Sequence, residues 1–234
     1  MPHRVCPNST AVSFYGGKLT AQKGFVVYEP TADEIIVSFS GTDPINIRNW
    51  IDDLDFKKTD YPGCDGCKVH EGFLRNYNSV KDQVQSQVKD FKSAHPSASI
   101  TITGHSLGAA VTALCTADLT SLGYELTTPY TYGMPRVGDE TFQQWYRENM
   151  VGTFRITHHK DPVPHLPPMD WGFKHMPHEA FYNGDDYENT KVCNYDGEDK
   201  ECSDQYKVDA NIPDHAHYMG WDFGKEYFSW GCKV

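Results

Sequence analysis

Ser99-Ile-Thr-Ile-Thr-Gly-His-Ser-Leu-Gly108 is the stretch on which the fold turns. Residues 99–103 alternate polar and apolar, the period of a half-buried strand. From Leu107 onward, Val111, Leu114, Cys115 and Leu119 recur at helical spacing. Between strand and helix stands Gly104-His105-Ser106-Leu107-Gly108, a Gly-x-Ser-x-Gly turn. A strand entering and a helix leaving is the context in which that pattern carries chemistry. A serine on so tight a turn has a strained backbone, and side chains at 104 or 108 would collide with the adjoining strand and helix. The helix start directs unpaired N–H groups and the positive end of its dipole at the hydroxyl. Ser106 is therefore the candidate nucleophile, and the N–H of Leu107 a candidate donor to an oxyanion.

Working outward, Gly24–Tyr28 and Glu34–Phe39 are β-rich runs joined by the turn-like Glu29–Asp33, a hairpin. Residues 79–94 place Val80, Val84, Val88 and Phe91 on one face, an amphipathic helix closed by His95-Pro96. Residues 126–132 are expected as strand, 139–149 as helix and 153–157 as strand. Alternation of this kind predicts an α/β fold, a mostly parallel sheet with helices on both faces. A second oxyanion donor should follow an earlier strand, and Thr42 stands after Phe39-Ser40-Gly41; taken alone, this is an ordinary turn. In hydrolases with such an elbow the acid follows the serine in the chain and the histidine comes last. Asp161, after the strand at 153–157, is the candidate acid; Asp139, Asp170 and Asp185 are its rivals on position. His215 or His217 supplies the base. Metal binding by the histidines at 158–159 and 215–217 is the competing reading, but a metal site needs no nucleophile elbow.

The chain has 234 residues and a formal net charge of −11, enough for one large domain over residues 1–234 and an unlikely partner for nucleic acid. No apolar run approaches the length of a membrane span. Seven cysteines suit an oxidising compartment. Cys64 and Cys67 form a tight pair, Cys193 and Cys202 bracket an acidic segment, and Cys6 and Cys232 lie near the two ends. Three bridges are expected, with Cys115 a buried thiol in a helix. A redox or zinc motif at Cys64 and Cys67 is weaker, because no second pair with ribbon spacing exists. Residues 1–6 have no apolar signal region, and Asn8-Ser9-Thr10 is a glycosylation sequon. The expectation is a mature, secreted, extracellular protein whose leader is missing.

In this setting the chain resembles the fungal class 3 lipases, on stretches from about residue 24 to the end. They are Phe39-x-Gly-Thr42, Ile47-Arg-Asn-Trp-Ile51, Val69-His-Glu-Gly-Phe73, Gly104-His-Ser-Leu-Gly108, Pro135-Arg-Val-Gly138 and Asp161-x-Val-Pro-His-Leu-Pro-Pro168. The resemblance implies an α/β-hydrolase fold with Ser106 as nucleophile, Asp161 as acid and an oxyanion hole at Thr42 and Leu107. The family's His-x-x-Tyr-x-Gly pattern falls on His215-Ala-His-Tyr218-Met-Gly220 and selects His215 as base. The three cysteine pairings also resemble family bridges. Departures are Ser40 in place of an arginine that can hold the lid, a segment before Trp50 two residues longer, Ala109 and Met134 in place of glycine and glutamine, and a short run between Cys6 and Gly24.

Residues 43–58 are the expected lid. Ile47, Trp50, Ile51 and Leu54 make an apolar stripe at i, i+3, i+4 and i+7, with Asn46, Asn49, Asp52 and Asp53 opposite. An arbitrary helix of this kind is a surface helix packed on a core; the resemblance implies a lid, hinged near Gly41–Pro44 and Phe56–Thr59. Trp50, Phe56, Val163, Leu166 and Trp171 are the candidate acyl-groove and lid contacts. The implied activity is hydrolysis of acylglycerol esters at a lipid–water interface by a monomer, with no cofactor and no metal. Feruloyl-type esterases of the family have a more polar lid without the Asn-Trp-Ile run; these, phospholipases and a non-catalytic lipid-binding relative are the alternatives.

Overall fold

The computed structural model describes residues 9–223 except 18–19, 21, 44–45, 151, 195 and 208. In chain order the elements are β1 (Thr10–Tyr15), β2 (Lys23–Glu29), β3 (Glu34–Phe39), α1 (Ile47–Asp52), β4 (Lys58–Asp60), β5 (Lys68–His70), α2 (Glu71–Asn78) and α3 (Lys81–Ala94). Then follow β6 (Ser99–His105), α4 (Leu107–Ser121), β7 (Tyr130–Tyr132), α5 (Glu140–Asn149), β8 (Phe154–His158), β9 (Glu179–Tyr182), β10 (Lys191–Val192), α6 (Ile212–His215), β11 (His217–Tyr218) and β12 (Trp221–Asp222).

Among the described residues, eight strands form one sheet in the order β1-β2-β3-β6-β7-β8-β9-β10. The run from β3 to β9 is parallel, and the outer pairs β1/β2, β2/β3 and β9/β10 are antiparallel. The registers Phe39↔Gly104 and His105↔Tyr132 bring the C-terminal ends of β3, β6 and β7 side by side. Ligand sites of open parallel sheets form at that edge. The chain here is that of an α/β-hydrolase, as expected.

Helix α4 is buried on every side, with Ala109, Ala110, Val111, Ala113, Leu114, Cys115, Ala117 and Leu119 all without exposed surface. Its alanines let α4 lie close against the sheet. Helix α3 is amphipathic as predicted, burying Val84, Val88 and Phe91; each such side chain contributes about 1.5–3 kcal/mol.

Several boundaries differ from expectation. The strand expected at 126–132 is only Tyr130–Tyr132, because Pro129 has no N–H to give the ladder. The short segment before Gly24 holds β1, paired antiparallel with β2. Helix α1 stops at Asp52, so Leu54 lies beyond it. Asp52, Asp53 and Asp55 crowd the helix's negative end with no basic residue in its last turn to compensate.

Cys64–Cys67 and Cys193–Cys202 are disulfide-bonded, which removes the redox and zinc reading of the first pair, and Cys115 is a buried free thiol. The Cys6–Cys232 pairing and the Asn8 sequon lie outside the described residues. Among the described residues no helix is long and apolar enough to cross a membrane.

Candidate active site

The site starts from the turn between β6 and α4. Ser106 has φ 58° and ψ −127°, a strained conformation for a residue with a Cβ. Its N–H donates to the Tyr132 carbonyl (2.9 Å), and its own carbonyl accepts from Ala109 (3.0 Å), so strand and helix together hold the elbow. The glycines flanking it are sterically required. A Cβ on Gly104 would lie 2.5 Å from the Gly108 carbonyl, and one on Gly108 would lie 2.3 Å from the Phe39 carbonyl oxygen. Leu107 opens α4, where the leading N–H groups have no intrahelical partner. A Cβ on Gly41 would lie 3.1 Å from that of Ser106, which places Thr42 beside the serine.

Tyr132 also leads to the candidate acid and base. At Gly133, φ is +57°, and a Cβ there would lie 2.8 Å from Asp161 Oδ2 and 2.9–3.0 Å from the His215 ring. Ser106, Asp161 and His215, far apart in sequence, are thus one residue's breadth from the end of β7. Asp161 follows β8, and His215 ends α6. His215 Nδ1–H donates to both oxygens of Asp161, at 3.0 and 2.9 Å. Because the carboxylate accepts at Nδ1, Nε2 carries the lone pair, as a general base requires. Asp161 is 1% exposed and His215 2%. Burial opposes the charged carboxylate, but the neighbouring His215, with hydrogen bonds from His215, Tyr218 and the Val163 N–H, holds the Asp161 pKa below its ordinary value. Tyr218 O–H donates at 2.5 Å to Oδ2 and Val163 N–H at 2.8 Å to Oδ1.

Buried side-chain polar atoms are ordinarily hydrogen-bonded. Ser106 Oγ, His215 Nε2 and Thr42 Oγ1 are all buried without a hydrogen-bond partner among the described residues. They are the proposed attacking atom, its proton acceptor and an oxyanion donor; a substrate carbonyl oxygen would accept from Thr42, and the Ser106 hydroxyl would give its proton to Nε2.

The rivals have other work. Asp139 caps α5 by accepting from the Phe142 N–H (2.9 Å), while Asp170 and Asp185 are exposed. His217 is exposed and contacts the Pro213 carbonyl and Asp222. The histidines expected as an alternative metal cluster are engaged elsewhere. His158 contacts the carbonyls of Asp214 and Gly184, and His159 pairs with Asp214 at 2.9 Å. Glu179, Cys193 and Cys202 lie close together, but the two sulfurs are bonded to each other.

The loop bearing Asp161 is braced by Arg136. Its backbone N–H donates to Leu166 O (2.7 Å), and its guanidinium to His165 O (2.6 Å) and Pro167 O (3.1 Å). The same guanidinium is forked onto Glu198 at 2.7 and 2.8 Å. Glu198 sits in the loop closed by Cys193–Cys202, so that bridge supports the Asp161 loop at second hand.

The candidate substrate contacts fall into separate groups. Ile47 is buried, while Trp50, Ile51 and Leu54 are half-buried; Arg48, Asn49, Asp52 and Asp53 face solvent. The apolar stripe of α1 therefore lies inward, with Trp50 stacked on Phe73 at 6.5 Å. A groove of about 290 Å³ is lined by Trp50, Leu54, Phe73 and Leu107, with Asp53, Asp55 and Arg75 among its polar residues. Phe56 and Trp171 stand apart from it as an edge-to-face pair at 5.4 Å, with Trp171 61% exposed. Val163 is fully buried beneath Asp161, and Leu166 is half-buried over Arg136.

Sequence reasoning missed Gly133 and the hydrogen bond from Tyr218 to Asp161. Tyr218 served only to mark the register of His215. A glycine directly after a parallel strand was the available signal for Gly133.

Comparison with known proteins agrees with this geometry. The family model described as lipase (class 3) matches residues 36–171. A lipase of Rhizomucor miehei is 37% identical over 194 residues, 81% of this chain and 53% of the relative. A secreted mono- and diacylglycerol lipase of Fusarium solani is 36% identical over 168 residues, 72% of this chain and 50% of the relative. The chain spans about half the length of the curated relatives it matches. Among solved structures, the Rhizomucor miehei triacylglyceride lipase superposes with TM-score 0.84 at 32% identity, covering 93% of this chain and 83% of that one. Lipase II from Rhizopus niveus superposes with TM-score 0.87 at 31% identity, covering 92% and 82%. With the elbow, the acid–base pair and the parallel sheet in place, these matches show that the chain belongs to the class 3 lipase family.

Proposed function

We propose that the protein is a secreted, monomeric serine hydrolase of one domain that cleaves carboxylic esters of acylglycerols at a lipid–water interface. The observation that carries this is the buried His215–Asp161 pair beside a strained Ser106, with the inward apolar face of α1 lining the groove that Leu107 also lines. His215 Nε2 takes the proton of Ser106 Oγ as the oxygen attacks the ester carbonyl. The Leu107 N–H and the N–H and hydroxyl of Thr42 stabilise the oxyanion. The carbon–oxygen bond to the alcohol then breaks, and His215 returns the proton to the leaving alkoxide. Water, giving a proton to His215, attacks the acyl carbonyl; the carbon–oxygen bond to Ser106 breaks, the fatty acid leaves, and His215 returns the proton to Ser106 Oγ. Asp161 holds His215 in the required tautomer and stabilises its imidazolium.

Residues 43–58 serve as a lid. In water the stripe Ile47, Trp50, Ile51 and Leu54 stays against Phe73 and the core. At a lipid surface the same residues turn outward, and burying each is worth about 1.5–3 kcal/mol, enough together to shift a closed–open equilibrium. Trp50, Phe56, Leu166 and Trp171 then face the acyl chains, with Val163 behind them.

Emulsified triolein and p-nitrophenyl butyrate, compared for wild type and Ser106→Ala, test the reading. A rate that jumps once triolein exceeds its solubility, abolished by Ser106→Ala, is the expected result. Activity on feruloyl or phospholipid esters without triolein hydrolysis would reassign the substrate. Hydrolysis retained by Ser106→Ala would reject the mechanism.

A further inference from the structure

The residue between Gly104 and Ser106 has a contact that the mechanism above leaves unused. His105 ends β6, and its side chain lies on the opposite face of that strand from Ile100, Ile102 and Gly104, the positions that are fully buried. There it meets the C-terminal segment. Its Nε2 lies 2.7 Å from the backbone carbonyl oxygen of His215. Its ring is tilted over the His215 ring at 4.5 Å, stacked on Phe223 at 4.7 Å and edge-on to Tyr218 at 5.6 Å.

We infer that His105 is a positioning residue, setting the separation of Ser106 and His215 by clamping the base's backbone to the residue next to the nucleophile. This deepens the proposed function and rests on it.

The argument is geometric. Asp161 fixes the ring of His215 at Nδ1, but a ring held at one end still swings if its Cα moves. The His105–His215 hydrogen bond holds the other end, the main chain. Because His105 and Ser106 are consecutive, base and nucleophile are then referenced to the same strand terminus. The acceptor is a carbonyl, so His105 Nε2 carries the hydrogen and the neutral ring suffices. Burial first, and then the neighbouring His215, lower the His105 pKa to about 3. The clamp is thus uncharged through the range in which ester hydrolysis is assayed, and it puts no second positive charge beside the His215 imidazolium.

The test compares His105→Phe, His105→Gln and His105→Asn on p-nitrophenyl butyrate, with Ser106 labelling by diethyl p-nitrophenyl phosphate as an independent readout. Phenylalanine keeps the stacking and removes the donor. Glutamine offers an amide N–H the same number of bonds from Cβ as His105 Nε2, and asparagine falls one bond short. For His105→Phe and His105→Asn, kcat and the labelling rate should fall by about 10- to 100-fold with KM within about threefold, the pattern of lost alignment rather than lost binding. His105→Gln should recover most of the loss. Should the phenylalanine variant not fold, the glutamine–asparagine contrast decides. A His105→Phe kcat within twofold of wild type, or folded Gln and Asn variants equally impaired, would overturn the inference. If Ser106→Ala is inert while His105→Phe is fully active, only the clamp is wrong; if Ser106→Ala is active, the proposed function has failed instead.

Discussion

Replacing Gly133 by alanine adds one methyl group where acid and base meet. Two costs follow from the structure. With φ at +57°, any residue with a Cβ is held in the left-handed region, about 1–2 kcal/mol above a glycine. The new Cβ would also lie 2.8 Å from Asp161 Oδ2 and 2.9 and 3.0 Å from His215 Cε1 and Nδ1. Ordinary van der Waals contact begins near 3.4 Å, so the pair must retreat by up to about 0.6 Å. A misplacement of about 1 Å costs on the order of 100-fold in rate, so a shift of this size should cost on the order of 10-fold or more. The stability loss of about 1–2 kcal/mol should lower Tm by roughly 2–8 °C in a domain of this size. The assay is kcat on a soluble p-nitrophenyl ester at a temperature where calorimetry shows the variant fully folded. Wild-type kcat in a folded Gly133→Ala protein would refute the claim that Gly133 sets the position of Asp161 and His215.

The remaining predictions bear on other parts of the site. Tyr218→Phe removes a buried hydrogen bond to a carboxylate, worth about 1.5–3 kcal/mol. Because the folded-state pKa of Asp161 is depressed, its contribution to stability is present above the unfolded value and is lost as pH falls through the folded one. Without Tyr218 that folded pKa rises toward the unfolded value, so urea unfolding followed downward from pH 7 should show a smaller acid loss that levels off at a higher pH than in wild type; coincident curves would contradict this. Ser106→Gly relieves the strained backbone and should raise stability by about 1 kcal/mol in chemical denaturation while abolishing ester hydrolysis. Glu198→Ala removes the forked partner of the buried Arg136, leaving Asp204 at 3.6 Å as its nearest carboxylate, and should cost up to about 3–5 kcal/mol, read in the same denaturation experiment. His215→Ala should reduce turnover by orders of magnitude and His217→Ala by less than about twofold, since His217 is exposed and points to Pro213 and Asp222.

The parts of the site legible in sequence were those that a short local pattern carries. Ser106 and its glycines could be read because an elbow needs a strand before it and a helix after it within ten residues. The parallel sheet could be read because the strand-like runs at β3, β6 and β8 alternate along the chain with stretches of helical spacing. What pairs across the chain was legible only through spacing tied to the resemblance, as with His215 over His217. Gly133, the contact of His105 with the His215 carbonyl and the Arg136–Glu198 brace lay beyond it, because each joins residues at least 28 apart or uses a carbonyl that no sequence displays. Helix α1 was overextended because hydrophobic periodicity continues to Leu54, while the charge that ends the helix at Asp52 is an electrostatic effect outside that pattern.

The central claim is that Ser106 is the nucleophile and that His215 and Asp161 make it one. Peptide mass spectrometry after treatment with diethyl p-nitrophenyl phosphate tests this most directly. A single diethylphosphoryl adduct on Ser106 is predicted, formed at the rate at which hydrolysis is lost and suppressed in His215→Ala. An adduct on another residue, or an enzyme that loses activity with Ser106 unmodified, would contradict the account.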